Sequence, residues 1–241
     1  MHINAVADWL RAKLPWPIWN FFRKIANSLL GPLHFSLETG HLRSCLKSRA
    51  VDRKGEPLPW FVYSAIQFLL PKNFSQKLIL EWGAGQSTFF WAKRASKVVS
   101  FEADPKWYSV LNKSKPANVS LFLVREDISD ADGHLQDELF DIIVVDGLDR
   151  FKCAKRSLKL LAPNGAIIVD NSEGNHGPRP GYGIIDIYRE GGLRRIDFYG
   201  YPPGNSTQQC TSIFCRADCF LLKGDENPLV TLSFWKIGQS S

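Results

Sequence analysis

The stretch Lys77-Leu-Ile-Leu-Glu-Trp-Gly-Ala-Gly-Gln-Ser-Thr88 decides the fold. Lys77–Trp82 is a short apolar run that closes on an acid, and it reads as a strand. Ser87–Arg94 reads as a helix, which leaves Gly83 and Gly85 in the turn between. Glycines there permit turn conformations and let a ligand approach the backbone where a Cβ would collide. The N-terminus of the following helix offers unpaired N–H donors to an anionic group. A glycine turn alone is weak evidence, because glycines after strands are common.

The sequence downstream repeats the same alternation. Lys97–Phe101 is strand-like, Pro105–Lys113 helical with proline in its first turn, and Val119–Val124 a strand. Phe140–Val145 is a strand, Phe151–Leu161 a helix stopped by Pro163, and Ala166–Val169 a strand. Strands alternating with helices imply parallel pairing through right-handed crossovers. The continuous run Ile142-Ile143-Val144-Val145 suits a central strand covered on both faces. The expected fold class is therefore α/β: a doubly wound, mostly parallel, seven-stranded Rossmann-like sheet with an N-terminal helical extension. Ile184–Glu190 should be a helix, and Arg195–Tyr199 and Thr211–Leu222 antiparallel strands at the sheet edge.

Upstream, helical periodicity runs from Trp60 to Leu70 and stops at Pro71, and residues 32–59 read as irregular connecting chain. Residues 7–30 are rich in Trp and basic side chains and are divided by Pro15 and Pro17 into two helices. The natural division is residues 1–56, a basic Trp-rich helical extension and linker, and residues 57–241, the α/β domain. The net charge of +6 is uneven: residues 1–54 carry nine Lys/Arg against three Asp/Glu, and the remainder is neutral. That distribution argues against a nucleic-acid surface on the domain. A basic amphipathic segment can contact a membrane surface peripherally, or its apolar face can pack on the domain or a partner subunit, the more economical expectation. The five cysteines are odd in number and Cys210, Cys215 and Cys219 lack zinc-site spacing, so reduced thiols and a cytoplasmic setting are expected. No secretory signal is visible, and no run reaches the roughly 18 apolar residues of a membrane span.

Glu102 ends the strand after the turn, 17 residues beyond Gly85, where a carboxylate can accept both hydroxyls of a ribose. A dinucleotide site uses the same logic, so a nicotinamide-dependent oxidoreductase is the alternative. The third glycine of its fingerprint would fall at Thr88, which speaks against it. A third alternative is a non-catalytic module on this fold, anchored through its N-terminal segment.

Over residues 76–171 the chain resembles the class I S-adenosylmethionine-dependent methyltransferases. The resemblance rests on Glu81-Trp-Gly-Ala-Gly85, Val98-Val-Ser-Phe-Glu102, Arg125-Glu-Asp127-Ile, Phe140-Asp-Ile-Ile-Val-Val-Asp-Gly147 and Leu161-Ala-Pro-Asn-Gly165. It implies S-adenosylmethionine as cofactor, with Glu81, Gly83, Gly85 and Ser87 around its methionine part, Glu102 on the ribose and Asp127 by the adenine amine. Asp146 and the pair Asp170-Asn171 end the fourth and fifth strands, where ligands of such sheets bind. Three oxygen-bearing side chains there can hold a hard divalent cation such as Mg²⁺. That pattern resembles the catechol O-methyltransferase branch, in which such residues hold a metal that orients substrate hydroxyls. The lysine base of that branch is replaced here by Asp149, with Lys152 one turn on. Candidate bases are Asp146, Asp149 and His176, the last within a loop rich in glycine and proline. The resemblance points to O-methylation of a small-molecule or sugar-like acceptor.

Overall fold

The structure is a computed structural model that describes residues 9, 11–124, 128–135, 138–147, 149–175 and 183–224. Among these, seven strands form one sheet in the order β3-β2-β1-β4-β5-β7-β6. The parallel part comprises β1 (Leu78–Trp82), β2 (Lys97–Glu102), β3 (Val119–Leu123), β4 (Phe140–Val145) and β5 (Leu161–Val169). β6 (Arg194–Gly200) and β7 (Gln209–Cys215) are antiparallel, and β7 inserts between β5 and β6. The sheet edge is therefore β6 and not the last strand. The final strand is also shorter than its apolar run suggested, because residues 220–222 turn into a 3₁₀ segment after Cys215.

The run Ile142–Val145 feeds both faces of the sheet. Ile142 and Val144 join a core containing Phe74, Phe90 and Trp91, while Ile143 and Val145 join a second core containing Trp82, Tyr188 and Phe214. Period-two side-chain placement makes each such residue serve an opposite layer, so both layers are dry. Helices α4 (Gln86–Ala92), α5 (Pro105–Asn112), α6 (Arg150–Leu160) and α7 (Ile184–Glu190) follow strands or the long loop after β5. Asp104 caps α5 by accepting from the N–H groups of Lys106 at 2.7 Å and Trp107 at 3.1 Å. Strand order reverses between β1 and β4, which opens a crevice at their carboxyl ends.

The N-terminal half departs most from expectation. Helix α1 (Trp16–Glu38) runs on through Pro32, and α2 (His41–Lys47) follows directly, where irregular chain was expected. Pro32 has no N–H to offer the Ser28 carbonyl, but Ser28 is exposed and water can meet that carbonyl. The helix expected over Trp60–Leu70 is shorter, α3 (Tyr63–Leu69). Residues 50–62 are stitched to the sheet: the Val62 N–H donates to Thr211 Oγ1 at 3.1 Å, and Ala50, Leu58 and Phe61 are buried in the first core.

Candidate functional site

The crevice at the β1–β4 reversal holds a cavity of about 430 Å³, within the size range of small-molecule sites. Its floor is the turn from Trp82 to Ser87, one wall is the end of β2 from Phe101 to Asp104, and Asp146, Gly147 and Asp149 form the other.

The two glycines of the turn do different work. Gly83 has φ +109°, and a Cβ there would stand 2.9 Å from the backbone of Gly147. Gly147 is equally constrained, since its Cβ would meet the Trp82 carbonyl oxygen at 2.7 Å. The ends of β1 and β4 thus close backbone to backbone, and Gly83 is demanded by the protein itself. Gly85 is extended, with φ −174°, and a Cβ there meets nothing within 4 Å. Its missing side chain leaves room on the cavity side, as a ligand approaching the backbone requires.

Three neighbours clamp this turn. The Glu102 carboxylate accepts from Ala84 N–H at 3.1 Å through one oxygen, and from Ala103 and Asp104 N–H at 2.9 and 2.8 Å through the other. Trp107 Nε1 donates to the Ala84 carbonyl at 2.9 Å, and Gly85 N–H donates to Thr88 Oγ1 at 3.0 Å. Trp82 stacks on Phe101 with ring centroids 5.0 Å apart and donates to Ser157 at 3.1 Å.

Glu81 lies beneath the turn and is fully buried, so it supports the cavity without lining it. Ser100 Oγ donates to its Oε2 at 2.6 Å, and Oε1 has no hydrogen-bond partner although the Ser87 and Thr88 hydroxyls stand near. Burial pushes its pKa up to about 7, against the lowering influence of Ser100.

At the opposite wall, the Asp146 carboxylate accepts from Arg150 Nη2 at 2.9 Å, and the same guanidinium donates through Nη1 to the Asp170 carbonyl. Burial raises the pKa of Asp146, Arg150 pulls it back, and the Glu102 charge raises it further. Asp170 is almost wholly buried and its Oδ1 accepts from Thr211 Oγ1 at 2.7 Å. Burial first, and then the charge of Asp146, raise the pKa of Asp170. Asn171 follows in the left-handed region, with φ +49°. Asp149, also left-handed at φ +49°, caps α6 by accepting from Lys152 N–H at 3.3 Å and pairs with Lys152 Nζ at 3.1 Å.

The structure therefore brings together Gly83, Gly85, Ser87, Glu102, Asp146 and Asp149 around one cavity. Asp127 and His176 lie outside the described residues; Val124 and Ile128 both line the cavity. A divalent ion does not fit Asp146, Asp170 and Asn171 as they are placed. A guanidinium already joins the first carboxylate to the β5 end, and a hydroxyl engages the second. Among the described residues no three His, Cys, Asp or Glu side chains converge as a metal site.

Sequence reasoning did not single out Trp60, Trp107 or Arg150. Trp107 was legible in part, since Asp104-Pro105 announces a capped helix whose first turn faces the cofactor-side strand ends. Trp60 lines the cavity from outside the α/β alternation, held by donation from Nε1 to the Pro203 carbonyl at 2.8 Å. No local signal gives that long-range bond.

No family model matches the chain, and no curated protein matches it either. Solved structures do. The chain is similar to the cofactor-bound protein Rv0187 from MTB, with 19% identity and a TM-score of 0.53, covering 77% of this chain and 95% of that one. It is also similar to an O-methyltransferase from Bacillus cereus in complex with SAH, at 16% identity and TM-score 0.52, covering 80% of this chain and 96% of that one. At these identities the likeness establishes the fold alone: the Rossmann-like α/β sheet that these structures share.

Proposed function

We propose that this chain is an S-adenosylmethionine-dependent methyltransferase that transfers the methyl group to an oxygen of a small-molecule or sugar-like acceptor. The observation that carries the reading is the clamped turn facing an open cavity: Gly85 leaves space at the backbone while Glu102, fixed by three N–H groups, presents its carboxylate at the end of β2. A carboxylate so placed suits paired ribose hydroxyls, and the aromatic lining by Trp82, Phe101 and Trp107 suits an adenine and a sulfonium. Thr88 occupies the third glycine position of a dinucleotide fingerprint and holds the Gly85 N–H, which leaves the nicotinamide alternative without support.

Methyl transfer needs alignment and proton removal more than covalent help. The acceptor oxygen attacks the methyl carbon in line, the carbon–sulfur bond breaks, and its electron pair returns to sulfur to leave a thioether. The hydroxyl proton goes to a base on the enzyme. Asp146 fits that role better than Asp149, whose carboxylate is occupied by the α6 cap and Lys152. Burial raises the proton affinity of Asp146 toward the working range of a general base, while Arg150 keeps it ionised. We assign no step to a metal, because Arg150 supplies the positive charge at the β4–β5 wall.

Calorimetry with S-adenosylmethionine tests the reading, followed by transfer of a labelled methyl to candidate hydroxyl acceptors. Stoichiometric cofactor binding supports it. Binding of NAD in place of S-adenosylmethionine would contradict it.

A further inference from the structure

We propose that helix α1 is a docking surface for an anionic lipid bilayer, on which it lies flat without crossing. None of the residues from Trp16 to Glu38 is buried against the rest of the protein. The helix is moored at its C-terminal end, where Phe35 packs edge-on against Tyr63 at 5.2 Å and Glu38 pairs with Arg53 at 2.6 Å. The rest of its apolar face is left without a partner among the described residues.

That face is continuous. At 100° per residue Ile18, Phe21, Phe22, Ile25, Leu29 and Leu33 fall on one side, all of them exposed, with Phe21 at 60% and Leu29 at 68%. Arg23, Lys24, Asn20 and Asn27 occupy the opposite side. Packing on the domain is thus found at the C-terminal end of the helix, beyond the residues 7–30 for which packing on the domain or a partner subunit was expected.

Charge selects the occupant. Arg11, Lys13, Arg23 and Lys24 are exposed, and no Asp or Glu occurs from Trp9 to Leu37. A second copy would add more basic side chains and bring no acid in this stretch to pair them. An anionic headgroup layer meets them directly, while the aromatic and aliphatic side chains enter the acyl boundary. Trp9 and Trp16, 62% and 65% exposed, carry ring and N–H together, the combination that settles at the headgroup level. Among the described residues no helix is long and apolar enough to span a membrane.

Flotation of the full chain with vesicles tests this, using phosphatidylcholine alone and an equimolar mixture with phosphatidylglycerol. Light scattering of the free protein gives its oligomeric state, and S-adenosylmethionine calorimetry or the thermal transition verifies that each variant is folded. The wild type should float with the anionic vesicles and not with the neutral ones. Leu29→Asp should abolish flotation, and Arg23→Gln with Lys24→Gln should weaken it about 25-fold, since each basic side chain near such a surface is worth about fivefold. Failure of the wild type to float, flotation equal on both vesicles, or insensitivity to these substitutions would overturn the proposal. A stable dimer that Leu29→Asp dissociates would also overturn it, assigning the face to a second copy.

Discussion

At the β1–β2 end of the crevice, neutral backbone groups and one carboxylate satisfy one another and leave a cavity open beside them. At the β4–β5 end, the half-buried Asp146 and the buried Asp170 share a neighbourhood with a single guanidinium, and the polar partners come from α6 and β7. The first wall is made of residues close in sequence, joined across one strand–turn–strand unit from Leu78 to Trp107. The second needs Arg150, Asp170 and Thr211, which the chain brings together from three elements. On the proposed function, the difference separates binding from chemistry: a preformed cradle on one side, and on the other a wall with one more carboxylate than guanidinium.

The largest effect should come from Gly83→Ala. Positive φ and a Cβ at 2.9 Å from the Gly147 backbone together cost about 2–4 kcal/mol. Chemical denaturation should show that loss, whereas Gly85→Ala, with open space at its Cβ, should keep near-wild-type stability and lose cofactor affinity. Equal stability losses for the two variants would break the distinction drawn between them.

Glu81 gives a pH signature to the cradle. Its folded-state pKa of about 7 lies above the ordinary 4.5, so the unfolded chain gives up this proton first and stability falls as pH rises. The contribution is fully present below about pH 4.5 and is lost as pH rises through 7, by ~3 kcal/mol in all. Glu81→Gln should flatten that fall and leave the variant more stable than the wild type at pH 8, read from denaturation midpoints across the range.

A smaller effect is expected at the reaction wall. Without Arg150 the proton affinity of Asp146 rises, because the guanidinium now holds it down. Arg150→Ala should therefore shift the acid limb of the kcat/KM profile upward by about one pH unit, lowering the rate about tenfold at pH 5 and only about twofold at pH 7. Arg150→Lys should restore part of both. A chelator should leave the wild-type rate unchanged, and dependence on Mg²⁺ would restore the ion to this wall.

The two walls also differ in how far they could be read beforehand. The glycine turn, Glu102 and the strand alternation are local patterns, and the structure places them as expected. The reaction wall was legible only as acids at strand ends, since the orientation of Asp170 depends on Thr211, 41 residues away. The reach of α1 was obscured by Gly31-Pro32, because proline signals a break most reliably where the lost hydrogen bond is dry, and Ser28 is not. Trp60 reaches the cavity through a bond to Pro203, 143 residues away, for which periodicity carries no information.

The measurement closest to the centre of this account is S-adenosylmethionine binding to the wild type and to Glu102→Ala by calorimetry. Removing a carboxylate that accepts two ribose hydroxyls should weaken binding at least 100-fold, about 3 kcal/mol or more for two charge-assisted hydrogen bonds. Ala84 should keep the turn folded through its carbonyl bond to Trp107. Wild-type binding with this loss is the predicted result. No binding by the intact chain, or equal affinity in the variant, would contradict it.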